Sequence, residues 1–238
     1  MNNLSIKRAI PNLFTFGSMG LGFLSLIRAS DGDFRMSAIL IFVAAIFDAL
    51  DGLSARLTKT SNRFGVELDS LADIVSFGVA PSYLLYHHTF NQMGNAGLVL
   101  SFLPMLAGGF RLARFNTDLQ GFDKKAFSGL PIPSAAMTLA AFILTFGENG
   151  FLPNDFQVYL VILVLLISGL MVSNVRYPKL PSFNKRGVKE EPVFFVLLII
   201  AVISLFVIGL KVLFYVFVLV VLFGIFNHIY NFFFIKRN

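Results

Sequence analysis

Long apolar runs separated by short polar loops dominate the chain. Each run is about as long as the roughly 20 residues that an α-helix needs to cross the hydrocarbon core of a bilayer. Val, Ile and Phe are also common in strands, but the length of the runs and the lack of alternation favour helix. Eight segments fit, at about 10–28, 36–57, 67–88, 95–114, 130–147, 156–174, 192–209 and 211–234. The pattern predicts an all-α polytopic membrane protein with about eight transmembrane helices.

The composition supports a membrane protein over a soluble one. Hydrophobic residues make up 56% of the chain and charged residues 13%, with a mean hydropathy of +0.78. Soluble domains average about a quarter charged residues, so there is too little polar surface here to coat a water-soluble globule. The chain has no cysteine, which excludes a disulfide framework and a thiolate metal site. No A-x-A-like cleavage site follows the first apolar run, so we expect that run to remain as a membrane helix.

The positive charges predict the topology. Of the 19 lysines and arginines, all but Arg28, Arg35 and Lys211 fall in one alternating set of loops and chain ends. Cytoplasmic loops carry an excess of Lys and Arg, so we expect both termini and the loop between the second and third helices on the cytoplasmic side of a prokaryotic-type inner membrane. The net charge of +6 then reflects topology and contact with anionic lipid head groups, and no nucleic acid is expected as a partner.

Four aspartates stand in the segment FDALDGLSARLTKTSNRFGVELDSLAD (47–73), at the ends of two predicted membrane helices. A charged carboxylate at the centre of a membrane helix costs about 2.5–3.5 kcal/mol on insertion scales and therefore suggests a function. Asp48 and Asp51 share a helix face at i, i+3, and Asp69 and Asp73 share one at i, i+4. The loop between the helices is short, so we expect antiparallel neighbours whose acidic pairs face each other near the cytoplasmic surface.

A divalent metal site is the first interpretation of these carboxylates, because facing carboxylates repel each other unless a cation lies between them. Hard oxygen ligands suit Mg²⁺ or Mn²⁺, with Ca²⁺ as a further candidate, and two ions would suit phosphoryl transfer. Gly52 and Ala55 leave room for a ligand, and Arg56 can reach a phosphate. Two alternatives stay open: a cation pathway, and structural pairing of the aspartates with Arg56 and Arg63.

The order and spacing of these residues resemble the motif of the CDP-alcohol phosphatidyltransferase family, D-x-x-D-G-x-x-A-R followed after eight residues by G-x-x-x-D-x-x-x-D. Every motif position is filled: Asp48, Asp51, Gly52, Ala55, Arg56, Gly65, Asp69 and Asp73. The resemblance implies a single membrane domain. It would comprise a six-helix catalytic core over about 9–174, a cytoplasmic loop at 175–191 and an additional helix pair at 192–238.

The resemblance also implies roles for individual residues. All four aspartates would ligate the metals, and Asp73 would in addition be the general base. Contacts with the CDP moiety are implied for six residues: Gly52, Ala55, Arg56, Asn62, Asn12 and Thr15. Asn62 stands where relatives commonly carry Ser or Thr. Asn12 and Thr15 belong to PNLFT (11–15), which resembles a P-N/D-x-x-T segment, and a helix cap after Pro11 is the alternative role for Asn12.

Two further segments bear on the acceptor. GGFRLARFNTD (108–118) and FSGLPIPSAA (127–136) resemble the branch of the family that transfers a phosphatidyl group from CDP-diacylglycerol to L-serine and releases CMP. Arg111 and Arg114, at i, i+3, are then expected to bind the acceptor carboxylate or the substrate phosphates. Anchoring at the cytoplasmic surface is the alternative for both. CDP-diacylglycerol, L-serine, CMP and membrane lipid are the expected partners.

Other functions remain open at this stage. Glycerol 3-phosphate or an inositol phosphate could replace serine as the acceptor within the same family. A cation transporter would spread its carboxylates across the membrane depth, and a non-catalytic lipid scaffold would need none of them. The helix pair at 192–238 could serve packing or a homodimer interface. His87 and His88 are expected at the opposite membrane interface, and Lys185, Arg186 and Lys189 in a solvated loop.

Overall fold

A computed structural model confirms the all-α polytopic architecture and describes residues 3–58, 63–118, 127–147, 152–177, 203–205, 207 and 209–230. The helices are α1 (Asn3–Ser30), α2 (Phe34–Thr58), α3 (Arg63–Asp73), α4 (Ala80–His88), α5 (Gly94–Asp118), α6 (Ile132–Phe146), α7 (Asn154–Val172) and α8 (Val212–Tyr230). A π-helix, Ile74–Val79, joins α3 to α4, and a 3₁₀ turn, Phe90–Met93, leads into α5. Two-residue strands, β1 (Phe127–Ser128) and β2 (Arg176–Tyr177), pair antiparallel.

Within the described ranges, 6 helical spans are long and apolar enough to cross a membrane. One of them, Phe64–His88, contains α3, the π-helix and α4. α6 has only 15 residues, but most of them are buried, so it is a central helix surrounded by the others. Seven of the eight predicted segments are thus helical, and 192–209 lies largely outside the described residues.

α1 and α2 form an antiparallel hairpin. Its turn contains Gly32 with φ of +79°, a conformation that favours glycine. The Asp33 carboxylate caps α2 by accepting a hydrogen bond from the Met36 backbone N–H at 3.0 Å. The hairpin places the C-terminal half of α2 beside the N-terminal half of α1, and this arrangement brings Thr15 and Asp51 together.

α1 begins well before Pro11, which lies inside the helix. Asn12 is therefore a residue of the helix interior, and the interpretation of Asn12 as a helix cap is wrong. The physical reason is that a proline costs α1 only one backbone hydrogen bond and some local bending, which the packing of α1 on α2 can offset. Asn12 is half-buried and lies one turn before Thr15, so both side chains lie on one side of α1.

A small antiparallel pair links the last described helix to the bundle. In β2, Tyr177 is almost fully buried, and its hydroxyl donates to the Val221 carbonyl of α8 at 3.4 Å. The Tyr177 ring occupies the space that a side chain on Gly224 would need. Tyr177 therefore fastens α8 to the segment that follows α7.

His88 lies at the end of α4 far from the four aspartates. Its ring contacts Phe34 edge to face at 4.8 Å and is enclosed by protein, although it lies at the end of the candidate membrane span Phe64–His88. The start of α2 covers this end of α4, which the sequence pattern of a single helix cannot reveal. His87 is half-buried, and its ring packs against the Tyr83 ring at 4.3 Å with the two planes tilted by 36°.

Candidate functional site

Three of the four aspartates meet where α2 and α3 face each other. One carboxylate oxygen from each of Asp48, Asp51 and Asp69 can be chosen so that all lie within 4.8 Å of one another. Asp51 is buried, and the other two are half-buried. The two acidic pairs thus face each other across the helices, as their spacing predicts.

Asp73 completes the cluster from the last turn of α3. Its carboxyl lies close enough to the Asp48 carboxyl for the two groups to interact directly. Two carboxyl groups this close are stable only with a proton or a cation between them, since their charges repel. The π-helix begins at Ile74, directly after this residue.

Thr15 contributes a neutral hydroxyl to the cluster from α1. Its Oγ1 lies 2.7 Å from Asp51 Oδ2 and 3.2 Å from the Pro11 carbonyl oxygen, and the shorter bond goes to the carboxylate. The sequence interpretation placed Thr15 on the nucleotide, and the fold brings it against an acidic side chain. The hydroxyl fixes one oxygen of Asp51 and leaves the other oxygen for a ligand.

The glycine and arginine of the motif lie further along α2. A Cβ on Gly52 would have no heavy atom within 4 Å, so the space beside Gly52 is open to a ligand. Arg56 is exposed, and its Nε donates to the Gly52 carbonyl at 2.9 Å. Ala55 is half-buried on the same helix. Asn62 lies outside the described residues.

The two arginines of α5 have different surroundings. Arg111 is 7% exposed, lies close enough to Asp73 to interact with its charge, and has a buried Nε without a hydrogen-bond partner among the described residues. Arg114 instead donates from Nη1 to the Val172 carbonyl at 3.0 Å and from Nη2 to the Ser173 carbonyl at 3.1 Å. Arg111 is thus placed at the site, whereas Arg114 binds the C-terminal carbonyls of α7.

Several contacts near the cluster were missed by the sequence interpretation. Asn116 Nδ2 donates to Ser70 Oγ at 3.0 Å, joining α5 to α3. Ser18 and Ser76 are hydrogen-bonded between α1 and the π-helix. A usable signal was present, because a polar residue in an otherwise apolar membrane helix usually faces a neighbouring helix.

A groove of about 300 Å³ lies between α3 and α5. It is lined by Glu67, Ser70, Leu71, Ile74, Gly109, Leu112, Ala113 and Asn116. The lining residues that belong to α3, Glu67, Ser70 and Leu71, lie on a different helix face from Asp69 and Asp73. The groove has mostly apolar walls, so among the described residues the carboxylate cluster is the better candidate for a reaction site.

The donor set fits hard divalent cations. It consists of carboxylate oxygens, which suit Mg²⁺, Mn²⁺ and Ca²⁺, and it contains no sulfur or imidazole. The close approach of the carboxyls is itself a reason to expect a cation, because Arg111 beside Asp73 can balance only one of the four charges. Asp48, Asp51, Asp69 and Asp73 could therefore hold such ions.

Comparisons with known proteins agree with this chemistry. The family model described as CDP-alcohol phosphatidyltransferase matches residues 8–175. A Helicobacter pylori protein named CDP-diacylglycerol–serine O-phosphatidyltransferase is 39% identical over 203 residues, which are 85% of this chain and 84% of that protein. A Bacillus subtilis protein of the same name is 33% identical over 169 residues, 71% of this chain and 89% of its own. The archaetidylserine synthase of Methanothermobacter thermautotrophicus is 36% identical over 178 residues, 74% and 72% of the two chains.

Proposed function

The chain belongs to the CDP-alcohol phosphatidyltransferase family, and from that premise we propose that it transfers the phosphatidyl group of CDP-diacylglycerol to the hydroxyl of L-serine, with release of CMP. It is a membrane-bound transferase of phospholipid synthesis. The observation that carries the proposal is the meeting of Asp48, Asp51 and Asp69 at one end of two membrane helices, in a chain whose relatives bear the serine transferase name.

The four aspartates hold divalent cations, with two ions in the site and Mg²⁺ or Mn²⁺ as the preferred metals. When bound, such ions supply Lewis-acid stabilisation of the charge on the pyrophosphate. Asp48, Asp51 and Asp69 serve as ligands, and Thr15 orients Asp51 through the 2.7 Å hydrogen bond. Hydrogen bonds from neighbouring residues typically orient metal ligands in proteins in this way.

Asp73 is the general base as well as a ligand. It accepts the proton of the serine hydroxyl, and the serine oxygen forms a bond to the β-phosphorus of CDP-diacylglycerol. The bond from that phosphorus to the bridging oxygen breaks, and CMP leaves with the electron pair. Catalysis of phosphoryl transfer depends mainly on positioning and charge stabilisation. The neighbouring Asp48 carboxyl holds the Asp73 base in position, and the charge is stabilised by the cations.

The remaining motif residues bind the two substrates. Gly52, Ala55 and Arg56 contact the CDP moiety, supported by the open space at Gly52 and the exposed Arg56 guanidinium. Arg111 binds the serine carboxylate. A buried guanidinium whose Nε has no hydrogen-bond partner among the described residues is a suitable partner for a carboxylate, because Arg can bind a carboxylate in a planar, two-pronged geometry.

The site faces the cytoplasm, together with both chain termini, in the inner membrane of a prokaryotic cell. The lopsided distribution of lysine and arginine supports this orientation. At this depth the acyl chains of the donor remain in the bilayer while the nucleotide reaches water, which suits a reaction between a lipid and a soluble amino acid.

Measuring CMP release by the purified protein tests the proposal directly. CDP-diacylglycerol is supplied with L-serine, glycerol 3-phosphate or inositol phosphate in separate reactions. We expect serine alone to support rapid CMP release and a phosphatidylserine product. Release with one of the phosphorylated acceptors would keep the chemistry and replace the acceptor.

The same preparation distinguishes the transporter alternative. Protein in liposomes is assayed for divalent cation flux and for CMP release. Flux without CMP release from any acceptor would overturn the proposed function. CMP release without flux supports it.

A further inference from the structure

Three helices meet about one turn away from the acidic cluster, at a site we call the serine junction: Ser18 and Gly22 of α1, Ala44 of α2 and Ser76 of the π-helix. Ser76 Oγ donates to the Ser18 carbonyl at 2.9 Å, and Ser18 Oγ donates to the Ala44 carbonyl at 3.1 Å. The two hydroxyl oxygens are 3.5 Å apart. Ser18, Ala44 and Ser76 are all buried.

The junction is in register with the candidate site. Ser18 comes three residues after Thr15, and Ala44 four residues before Asp48. Residues three or four apart share a helix face. Ser18 and Ala44 therefore lie on the same helix faces as Thr15 and Asp48, about 5 Å further along each helix axis at 1.5 Å per residue. In the helical segment formed by α3 and the π-helix, Ser76 follows Asp73 by three residues.

Gly22 allows the closest approach in the junction. A Cβ on Gly22 would lie 2.7 Å from the Ser76 Cα, which is a backbone atom. The clash could be relieved only by moving the π-helix away from α1. Gly20, on the same helix, differs because a Cβ there would have no heavy atom within 4 Å. The glycine at position 22 therefore fixes how closely α1 and the π-helix pack.

The π-helix makes the direction of α3 depend on this contact. Its turns are wide, as shown by the Ala80 N–H bonding to the Val75 carbonyl five residues back. Pro81 explains the location, because its ring lacks an N–H and crowds the carbonyl four residues before it. Segments of this type are frequent at functional sites. The wide turns begin directly after Asp73, so a shift of the π-helix would move that carboxyl.

We propose that the serine junction positions Asp73: it holds the π-helix against α1 and thereby sets the Asp73 carboxyl beside that of Asp48. The inference rests on the proposed function in that these carboxylates are taken as cation ligands. Ser18 and Ser76 lie one turn from the cluster and Gly22 lies one turn further along α1. All three act through Asp73, so they are positioning residues.

The test compares Gly22→Ala and Ser76→Ala with two matched controls in the full-length protein. Gly20→Ala adds the same methyl group to α1 in open space. Ser25→Ala removes another buried hydroxyl of α1, one that is bonded to Ser37 at 2.9 Å. Mn²⁺ binding is measured without substrate by electron paramagnetic resonance, alongside kcat, the KM for serine and thermal unfolding.

We expect Gly22→Ala to weaken Mn²⁺ binding by about tenfold or more, as for loss of a residue that supports metal ligands. Its kcat should fall while the KM for serine changes by less than about twofold, because Arg111 is untouched. Ser76→Ala should shift both quantities in the same direction by a smaller factor. Both controls should match the parent.

Parental Mn²⁺ affinity and kcat in the folded fraction of Gly22→Ala would overturn the inference, even if its unfolding temperature fell. Where Gly22→Ala gives no folded protein, the test depends on Ser76→Ala, since this variant removes one oxygen and adds no volume. Parental Mn²⁺ affinity and kcat in Ser76→Ala would then overturn the inference. A parent protein that binds no Mn²⁺ would also overturn it. A parent that binds Mn²⁺ with the expected dependence on Gly22, but releases no CMP, would instead refute the proposed function alone.

Discussion

Thr15 of α1 donates a 2.7 Å hydrogen bond to Asp51 of α2, and both side chains are buried. A neutral hydroxyl can steady a carboxylate without cancelling the negative charge that a divalent cation requires. The bond also ties the N-terminal half of α1 to the acidic cluster. Thr15 is thus a supporting residue of the site as well as a member of the PNLFT segment.

Replacing Thr15 with Val should lower cation affinity. Valine keeps the shape of threonine but cannot donate to Asp51, so the carboxylate loses its orientation. We expect Mn²⁺ binding to weaken by about tenfold, measured by titration of the purified protein. Thr15→Ser is the control and should stay close to the parent. Equal affinity in Thr15→Val and the parent would show that the hydrogen bond has no part in cation binding.

Asp73→Asn should remove the general base and leave much of the cation site in place. We expect kcat to fall by about 100- to 10,000-fold, the usual contribution of a positioned base. Mn²⁺ binding should be retained in part, since Asp48, Asp51 and Asp69 remain. CMP release and Mn²⁺ titration on one preparation measure both quantities. Normal synthesis by Asp73→Asn would refute the base assignment.

Removal of divalent cations should stop the reaction without unfolding the bundle. Treatment with a chelator is expected to abolish CMP release, and added Mg²⁺ or Mn²⁺ should restore it. The reason is that negatively charged carboxylates cannot bind a pyrophosphate without cations between them. In Asp48→Ala the same additions should fail to restore release. Full activity of the parent in excess chelator would contradict a cation requirement.

Arg111 and Arg114 should give different phenotypes although they are three residues apart. Arg111→Gln should raise the KM for serine by about ten- to hundredfold, as for loss of a charged hydrogen bond, with little change in the KM for CDP-diacylglycerol. Arg114→Gln should leave the KM for serine nearer the parent value and lower stability by about 1–3 kcal/mol, because carbonyls at the end of α7 lose their donor.

Initial rates and thermal unfolding on both variants decide between these roles. The sequence assigned acceptor binding to both arginines. A larger rise in the KM for serine with Arg114→Gln than with Arg111→Gln would reverse the assignment made from their surroundings.

Tyr177 should make stability fall at high pH. Burial raises the pKa of Tyr177 to about 12 in the folded protein, against about 10 for an unfolded chain. The folded state therefore favours the protonated phenol, and this stabilisation is complete below about pH 10 and is lost as the pH rises toward 12. Tyr177→Phe keeps the ring on Gly224 but cannot ionise. Its unfolding temperature should decline less than that of the parent over this range, and parallel declines would contradict the prediction.

Local periodicity was sufficient for much of the architecture. The lengths of the apolar runs gave the helices, because every backbone group in a bilayer must find its partner within its own helix. The spacing of Asp48 with Asp51, and of Asp69 with Asp73, predicted two acidic faces, and the small number of residues between the two segments predicted that those faces meet. These features depend on neighbours within about four residues, which a sequence displays directly.

Contacts between distant segments depended on the tertiary structure. Arg111 and Arg114 look equivalent in sequence, but only the packing of α5 against α3 and α7 puts one beside Asp73 and the other on the Val172 carbonyl. The partner of Thr15 and the approach of Gly22 to Ser76 likewise follow from how helices cross, and no helical repeat encodes a crossing. The sequence by itself therefore determined which residues share a face, and the tertiary structure decided which faces meet, because side-chain contacts between helices are set by packing geometry over the whole bundle.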